Sequence, residues 1–545
     1  MRTLVLMGNL TTLSRSQESS HTMQANYNNV TFGKEARDGL SRGIDTLYRA
    51  VSSTLGARSR TVGIDYGFAG KILKDGVSIA KVIALKDPVE NFGAQRVAEA
   101  ARKTVQDVGD GTTVTIILAH AIITEAQKLI EAGVSPMELT EGLEKGVQAL
   151  TDEIGKYATP AKKLQEVIDV ATVSVSGDKP LGKLIGETIH KVGLEGVVTV
   201  EENTKSNDTY VDHQEGMRFA KGYSHQLFIT NPDKMEASLK DTKVLVTDKQ
   251  LNPSEILPLF TEVFEKRGMP LVILSPESSE QLRDFLVVNK MQGKIRALHI
   301  NQPDTNLLQD IAILTGARFI STGDTWDKVV YADLGKAKRI TSSATTTEVV
   351  GGGGSKEALE TRVSSLVTQI KQTDSDFEKE KLRERYAKLT DGIAVINVGG
   401  RTEVEMQERK ERVDDAVGAT MAAIDEGIVP GGEIVYLSAL RALKGDSYAN
   451  TILRNALKAP FRKLMTNAGF DGGQMLEKIN GTVVVAGVEG FGIDVTTGKL
   501  ENMLAIGVID PVAVPKAALR NALSVAIQII SCDTVITPHV TEGKK

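Results

Sequence analysis

Apolar residues recur at helical spacing over two long stretches near the start of the chain. Leu40, Ile44, Leu47 and Val51 mark a helix over Ala36–Thr54, and a second periodic run covers Val89–Val108. Between them, Thr61–Asp65 and Lys71–Leu73 read as a short strand pair. Val114–Ala132 is apolar enough to predict a helix buried on most sides. Thr159-Pro160 breaks the pattern, because proline disfavours helix continuation, and a domain boundary is placed there. Val197–Val200 reads as a strand. From about residue 215 to 392, strands (Val244–Val246, Leu271–Leu274, Ala297–Ile300) alternate with helices (Asn252–Arg267, Ser278–Met291), the order of an α/β layer structure. Gly351–Gly354 predicts a flexible turn or tip. Lys356–Leu389, dense in pairs of opposite charge, predicts a solvated helix or hairpin. Ile393–Val398 is a strand, Thr402–Glu426 a helix, and the chain from Gly427 onward returns to helical character. Helical ends therefore flank an α/β middle, as when one domain is inserted into another.

Two helices of the middle part carry apolar arcs wider than one buried face needs. One bears Ile256, Leu257, Leu259, Phe260, Val263 and Phe264, the other Leu282, Phe285, Leu286, Val287 and Val288. Such arcs either pack on the sheet or leave an apolar groove open to partners.

Length and composition narrow the class. A chain of 545 residues accommodates about three or four domains. The balance of 65 basic against 70 acidic residues gives a net charge of −5 and no basic stripe, which argues against a nucleic-acid partner. Cys532 is the one cysteine, so no internal disulfide forms and a reducing compartment fits. The histidines lack zinc-ligand spacing. No apolar run reaches the roughly 18–20 residues of a membrane span, so no membrane partner is expected. Residues 1–23 read as a disordered extension ahead of a natural start at Met23, with a short targeting peptide as the other reading.

The chemistry concentrates in a few short motifs. Asp110-Gly111-Thr112-Thr113 ends a Gly/Asp-rich turn and opens the apolar helix. Unpaired N–H groups and the helix dipole favour phosphate there, threonine hydroxyls add donors, and a carboxylate could hold phosphate-bound Mg²⁺. A plain helix cap is the other reading. Thr54-Leu55-Gly56, Lys74-Asp75-Gly76 and Gly431-Gly432 are each generic turns when taken alone. In Asp414-Asp415, adjacent acids point to different sides of a helix, so one could orient water while the other is solvated. Gly177–Lys183 mimics a phosphate loop, but Leu184 replaces the required hydroxyl and Pro180 sits inside, so it is rejected.

Together these segments, in order from about Val30 to Val535, resemble a group I chaperonin, in a divergent form. The resemblance rests on Thr54-Leu-Gly, Lys74-Asp-Gly-Val-Ser, Glu90–Gln95, Asp107–Thr113, Leu308–Gly316, Glu403–Met406, Asp414-Asp-Ala and Gly507–Pro511. It implies a multidomain α and α/β fold with three parts. These are a mostly helical equatorial domain (24–157 and 427–545), a small α/β intermediate domain (158–214 and 393–426) and an α/β apical domain (215–392). It implies homo-oligomeric heptameric rings, single or double, that fold non-native polypeptides through ATP hydrolysis, with a co-chaperonin as a further partner. ATP, Mg²⁺ and K⁺ are the implied cofactors. Carried over, Thr54, Leu55, Gly56, Lys74, Asp75, Gly111, Thr112 and Thr113 surround the phosphates, and Asp110 ligates Mg²⁺. Ser174 lies at the nucleotide edge, Gly432 and Asp510 hold base and ribose, and Asp415 positions the attacking water. Tyr223, Leu227, Phe228, Leu257, Phe260, Val287 and Val288 take the polypeptide. A cytoplasmic location, bacterial or in the host of a bacteriophage, is expected, with an organellar matrix as the alternative. The chain departs from the family pattern at Ala57, Ser59, Val114, Arg283, Asp391 and Glu433, and it ends without a Gly-Gly-Met tail.

Overall fold

A computed structural model describes residues 29–65, 70–73, 75–193, 197–204, 206–232, 234–277, 279–373, 375–390, 392–479 and 490–538. The expectations for residues 1–23, Lys74, Asp391 and the tail fall outside the described residues. The chain divides into two compact units: one comprises Val192–Thr199 and Val211–Asn397, the other the segments up to Lys191, Val200–Tyr210 and from Val398 onward.

The second unit is built on long helices, Gly33–Val51, Pro88–Val108, Thr112–Glu131, Pro136–Lys156 and Ala513–Ile530. The helix at Pro88 begins where it does because Asp87 accepts the N–H groups of Val89 and Glu90 and proline fills the first position, which has no partner to lose. It stops at Gly109, whose φ of 78° turns the backbone left-handed. The first two helices pack at backbone distance: a Cβ on Gly43 would meet the Glu90 carbonyl oxygen at 1.8 Å. Leu40, Ile44, Leu47, Ile116, Ile122, Leu519 and Ile529 meet in one aliphatic core. Each large side chain so buried contributes about 1.5–3 kcal/mol. Thr112–Glu131 is long and apolar enough to cross a membrane by length and composition, although polar residues interrupt its apolar run. Its Ile116–Ala119 segment is fully enclosed by this core.

The return to helical character after Gly427 is only part of the picture. Ile428–Pro430 pairs antiparallel with Ile509–Pro511, and Phe491–Ile493 with Leu500–Asn502. Three-residue strands are too short to show an alternating pattern. The predicted strand pair forms as Val62–Asp65 with Gly70–Leu73.

The first unit centres on a six-stranded sheet in the order Gly216–Phe219, Thr347–Gly352, Gly335–Ser342, Ala237–Val246, Leu271–Ser275, Ala297–Asn301. The last three run parallel, with Lys243 opposite Leu271 and Leu271 opposite Ala297. Leu271–Ser275, Ala297–Asn301 and the second half of Ala237–Val246 are buried along nearly their whole length, as strands covered on both faces must be. The expected helix Asn252–Arg267 is an α-helix over Pro253–Phe260, with Pro258 inside it, continued by a π-turn over Thr261–Lys266. Pro258 supplies no N–H, and the wider turn follows it. Gly351–Gly354 is not a flexible tip. Gly351 and Gly352 end a strand, and a Cβ on Gly352 or Gly354 would meet the carbonyl oxygens of Leu314 or Ile313 at 2.2 and 2.0 Å. These glycines let the strand end lie directly on the helix Thr305–Thr315.

The charged stretch forms a hairpin of helices, Lys356–Gln372 and Asp376–Thr390. Its outer faces are polar, and Leu366 and Leu389 reach the core. It is also clamped by Asp310, a buried carboxylate that receives Arg362 Nε at 2.7 Å and Arg385 Nε and Nη2 at 2.7 and 2.9 Å. Removing one partner of a buried pair strands the others. Asp310→Ala should therefore cost about 3–5 kcal/mol in denaturant unfolding. It should also raise hydrogen exchange across the Lys356–Thr390 hairpin first; uniform exchange with an unchanged midpoint would refute the clamp.

Candidate functional site

The turn between Pro88–Val108 and Thr112–Glu131 is held by two left-handed glycines, Gly109 (φ 78°) and Gly111 (φ 98°). A buried relay fixes it from below: Asn521 Nδ2 donates to Thr104 Oγ1 at 3.0 Å, Thr104 and Thr115 hydroxyls meet at 3.0 Å, and Thr115 Oγ1 donates to the Gly111 carbonyl at 2.8 Å. Above it, the helix opening at Thr112 has no side-chain cap, whereas Asp75, Asp87, Asp304 and Thr402 cap theirs. The plain-cap reading of Asp110-Gly-Thr-Thr is thus not what the fold does. Asp110 accepts the Gly111 N–H at 2.6 Å, and no side chain caps the first turn.

Two more elements close on this turn. Thr54 Oγ1 lies 3.3 Å from Thr113 Oγ1. A Cβ on Gly76 would meet Thr113 Oγ1 at 2.6 Å, so the Asp75-Gly76 turn abuts the same threonines. Asp75 itself caps the short helix Gly76–Val82, accepting the N–H groups of Val77 at 3.0 Å and Ser78 at 2.7 Å. Asn467, which the sequence reading missed, holds the carbonyls of Ser52 and Leu55 at 2.9 and 3.0 Å. Leu55 packs on the apolar cluster of Phe461 and Leu464, and Gly56 takes a φ of 90° against Leu464.

The third side is the strand pair Ile428–Pro430 and Ile509–Pro511, which sets Val429 opposite Asp510. A Cβ on Gly431 would stand 3.2 Å from Asp510 Oδ2. Gly432 and Glu433 both follow in the left-handed region, at φ 73° and 64°. The Glu433 carboxyl is pushed up to about 8 by burial and then by the charges of Asp510 and Asp110. The Asp510 carboxyl is pushed up to about 7 by burial and by Asp110. Asp110 is open to solvent at the mouth of the site yet crowded by protein behind. That crowding raises its pKa, the Gly111 N–H opposes the rise, and Asp75 adds to it. Among the described residues, three carboxylates thus act on one another without a cationic partner, though no group of three or more His, Cys, Asp or Glu is placed to hold a metal by itself. Asp110, beside the uncapped helix start, fits Mg²⁺, which keeps several waters and needs one or two carboxylates besides phosphate oxygens. Ser174 ends the helix Leu164–Ser174, which packs on the strand carrying Asp510, but it hydrogen-bonds to none of the other site residues.

Asp415 sits on the helix Glu403–Glu426, and its surroundings explain its aim. Glu411, Asp415 and Gly418 recur at i, i+4 and i+7 and share one face. At one end of that face Glu411 Oε2 meets Ser78 Oγ at 3.2 Å. At the other, a Cβ on Gly418 would meet Gly109 Cα at 2.9 Å. Asp415 lies on that face between these two contacts. Of the nucleotide set expected from sequence, the described residues Thr54, Asp75, Asp110–Thr113, Gly432, Asp510 and Asp415 converge.

The expected polypeptide-binding set divides. Phe228, Phe260 and Val287 are core residues, at 1%, 0% and 8% exposure, and Phe260 stacks on Phe285 with ring centroids 5.8 Å apart. The wide apolar arcs are thus largely used in packing against the sheet. Leu227 is exposed, while Tyr223, Leu257 and Val288 are half-buried. Arg283, on the same helix as Val288, pairs with Asp284 and Glu280.

The TCP-1/cpn60 chaperonin family model matches residues 47–263 and 260–539. Among solved structures, the chaperonin gp146 from bacteriophage EL 2 (Pseudomonas aeruginosa), crystallised in presence of ATP-BeFx, is similar in two crystal forms. Form II aligns with a TM-score of 0.64 at 19% identity, covering 95% of this chain and 99% of gp146. Form I aligns with a TM-score of 0.61 at 20% identity, covering 94% and 99%. At such identity the likeness shows a shared fold.

The raised carboxyls link stability to pH. In the fold Glu433 keeps its proton until about pH 8, well above the ordinary carboxylate range. The folded state therefore binds more protons than the unfolded one between those limits, and stability falls as pH rises through them. Glu433→Gln removes that liability. Its melting temperature should match the native protein at pH 4 and exceed it by several degrees at pH 8.5; an offset independent of pH would contradict the assignment.

Proposed function

Because the chain belongs to the TCP-1/cpn60 chaperonin family, we propose that it is an ATP-driven chaperonin subunit that captures non-native polypeptides and assists their folding. The observation that carries this reading is the convergence of the uncapped Thr112 helix start, Asp110 and Asp415 on one site. Phosphoryl transfer needs positioning and charge stabilisation more than covalent help. The N–H groups of Thr112 and Thr113 and their hydroxyls receive phosphate oxygens, and Thr54 and Gly56 close the other side. Mg²⁺, when bound through Asp110, neutralises phosphate charge. Asp415 accepts a hydrogen bond from the attacking water and aligns it. ATP-BeFx in the gp146 crystals supports a nucleotide in this fold.

Polypeptide capture falls to Leu227, Tyr223, Leu257 and Val288, which keep apolar surface in contact with solvent. Ring assembly is supported by two short strand pairs whose apolar residues lack cover: Phe32 and Ile536 on Asn29–Phe32 with Thr534–Thr537, and Ile72 on Gly70–Leu73. Edges of this kind are normally paired or covered, and neighbouring copies would cover them. Seven copies per ring, a co-chaperonin and bound K⁺ belong to the same reading.

Asp415→Ala should leave the Kd for ATP within about threefold while lowering ATP turnover by at least about a hundredfold. Negative-stain imaging of the same variant should still show rings. Unchanged turnover would remove Asp415 from the chemistry. Absence of any turnover in the native protein, with rings and polypeptide capture intact, would make the chain a ring-forming holdase instead.

A further inference from the structure

Lys243 is a charged residue in the interior of the six-stranded sheet, 6% exposed. Directly opposite it, on the antiparallel strand Gly335–Ser342, stands Lys336. The Lys243 N–H donates away from that strand, to the Pro270 carbonyl at 2.9 Å, and the Lys336 carbonyl accepts from Gly353 on its own far side at 2.9 Å. The two lysines therefore form a non-hydrogen-bonded cross-strand pair, the kind whose side chains stand closest. Like charges placed this way destabilise a sheet. A third cation joins them. Lys243 Nζ lies 4.4 Å from the Tyr331 ring centroid, and the Arg267 guanidinium carbon lies 4.0 Å from the same ring. Burial, then the charges of Lys336 and Arg267, hold the Lys243 pKa below its ordinary value.

No acid balances this group. The Lys243 ammonium has three donors, and among the described residues its one hydrogen bond is a long one, to the Leu334 carbonyl at 3.4 Å. The exposed Lys336 side chain has no partner among them. Glu262 is held by Lys266 and Arg267 at 2.9 and 2.8 Å, and Asp333 by Arg318 and the Val330 N–H. Asp241, two residues before Lys243, is exposed and makes no ion pair among the described residues. A buried charge without a partner is costly, and an apolar side chain of similar volume is often the more stable choice. Stability alone therefore gives no reason for a lysine at 243 facing a lysine at 336. An anion satisfies all three cations at once. Ammonium groups act as compact point charges and guanidinium as a planar fork, a combination that suits the several oxygens of phosphate. We propose that Lys243, Lys336 and Arg267 form a binding site for a multiply charged oxyanion of the phosphate class. All three residues belong to the first unit, so the site is separate from the one at Thr112.

The test is amine acylation of the full-length protein, mapped by peptide mass spectrometry, in inorganic phosphate and in chloride at equal ionic strength. Phosphate should slow acylation of Lys336 by at least about threefold, the scale of one partly exposed ion pair, and leave exposed lysines such as Lys356 unchanged. In Lys243→Met the protection of Lys336 should disappear. That variant should melt in chloride no lower than the native protein, because it exchanges a buried charge for an apolar side chain. Lys336→Gln, at an exposed position, gives the reciprocal reading if the methionine variant fails to fold: phosphate should no longer protect Lys243. Equal slowing at all lysines of the native protein, no slowing at Lys336, or protection of Lys336 that persists in Lys243→Met would overturn the site.

Discussion

A methyl group on Gly109 would come within 2.5 Å of the Ala419 nitrogen, and one on Gly418 would press on Gly109. The site depends on that contact between two bare backbones. It lets the helix Glu403–Glu426 lie directly on the turn that precedes Thr112, and the Ser78–Glu411 hydrogen bond pins the same helix two turns earlier. Everything that makes Asp415 relevant follows from this seating. A carboxylate one turn from Gly418 can reach a phosphate lodged at Thr112 only when the helix is docked.

The second constraint is electrostatic. Glu433, Asp510 and Asp110 crowd acidic charge around the uncapped start of the helix at Thr112. The fold tolerates this because protons, a cation or hydroxyl donors can relieve it. Beneath them lies Tyr436, whose hydroxyl is buried, donates to the Pro515 carbonyl at 3.2 Å and is pushed upward by burial and by Glu433. The acids therefore rest on a floor that offers them no positive charge. On the proposed reading, a Mg²⁺ ion held at Asp110 would supply the positive charge that the protein itself withholds.

Much of this was legible in the sequence because glycines and helical periods are local signals. Gly109 and Gly111 announce a left-handed turn, and the apolar stretch after them announces a buried helix, so the turn itself could be located from residues alone. The β-strands Ile428–Pro430 and Ile509–Pro511 were not legible, because three residues show no period. The burial of Phe228, Phe260 and Val287 was not legible either, since a wide apolar arc does not reveal how much of it the sheet will cover. Gly418 left a faint signal: a glycine inside a helix, seven residues after Glu411, with no reason for its presence until the Gly109 contact is seen. Glu433 was visible as a departure from the family pattern, but its meeting with Asp510 depends on strand pairing across residues far apart in sequence.

The seating of the Asp415 helix is tested most directly at Gly418. Alanine there favours the helix itself by about 1 kcal/mol, so a loss of function cannot come from helix propensity. Single-turnover ATP hydrolysis by Gly418→Ala, compared with equilibrium ATP binding, separates the two. Seating through bare backbones predicts hydrolysis slowed by at least about tenfold with binding nearly unchanged, because the new Cβ lifts the helix off Gly109. Hydrolysis at the native rate would contradict it.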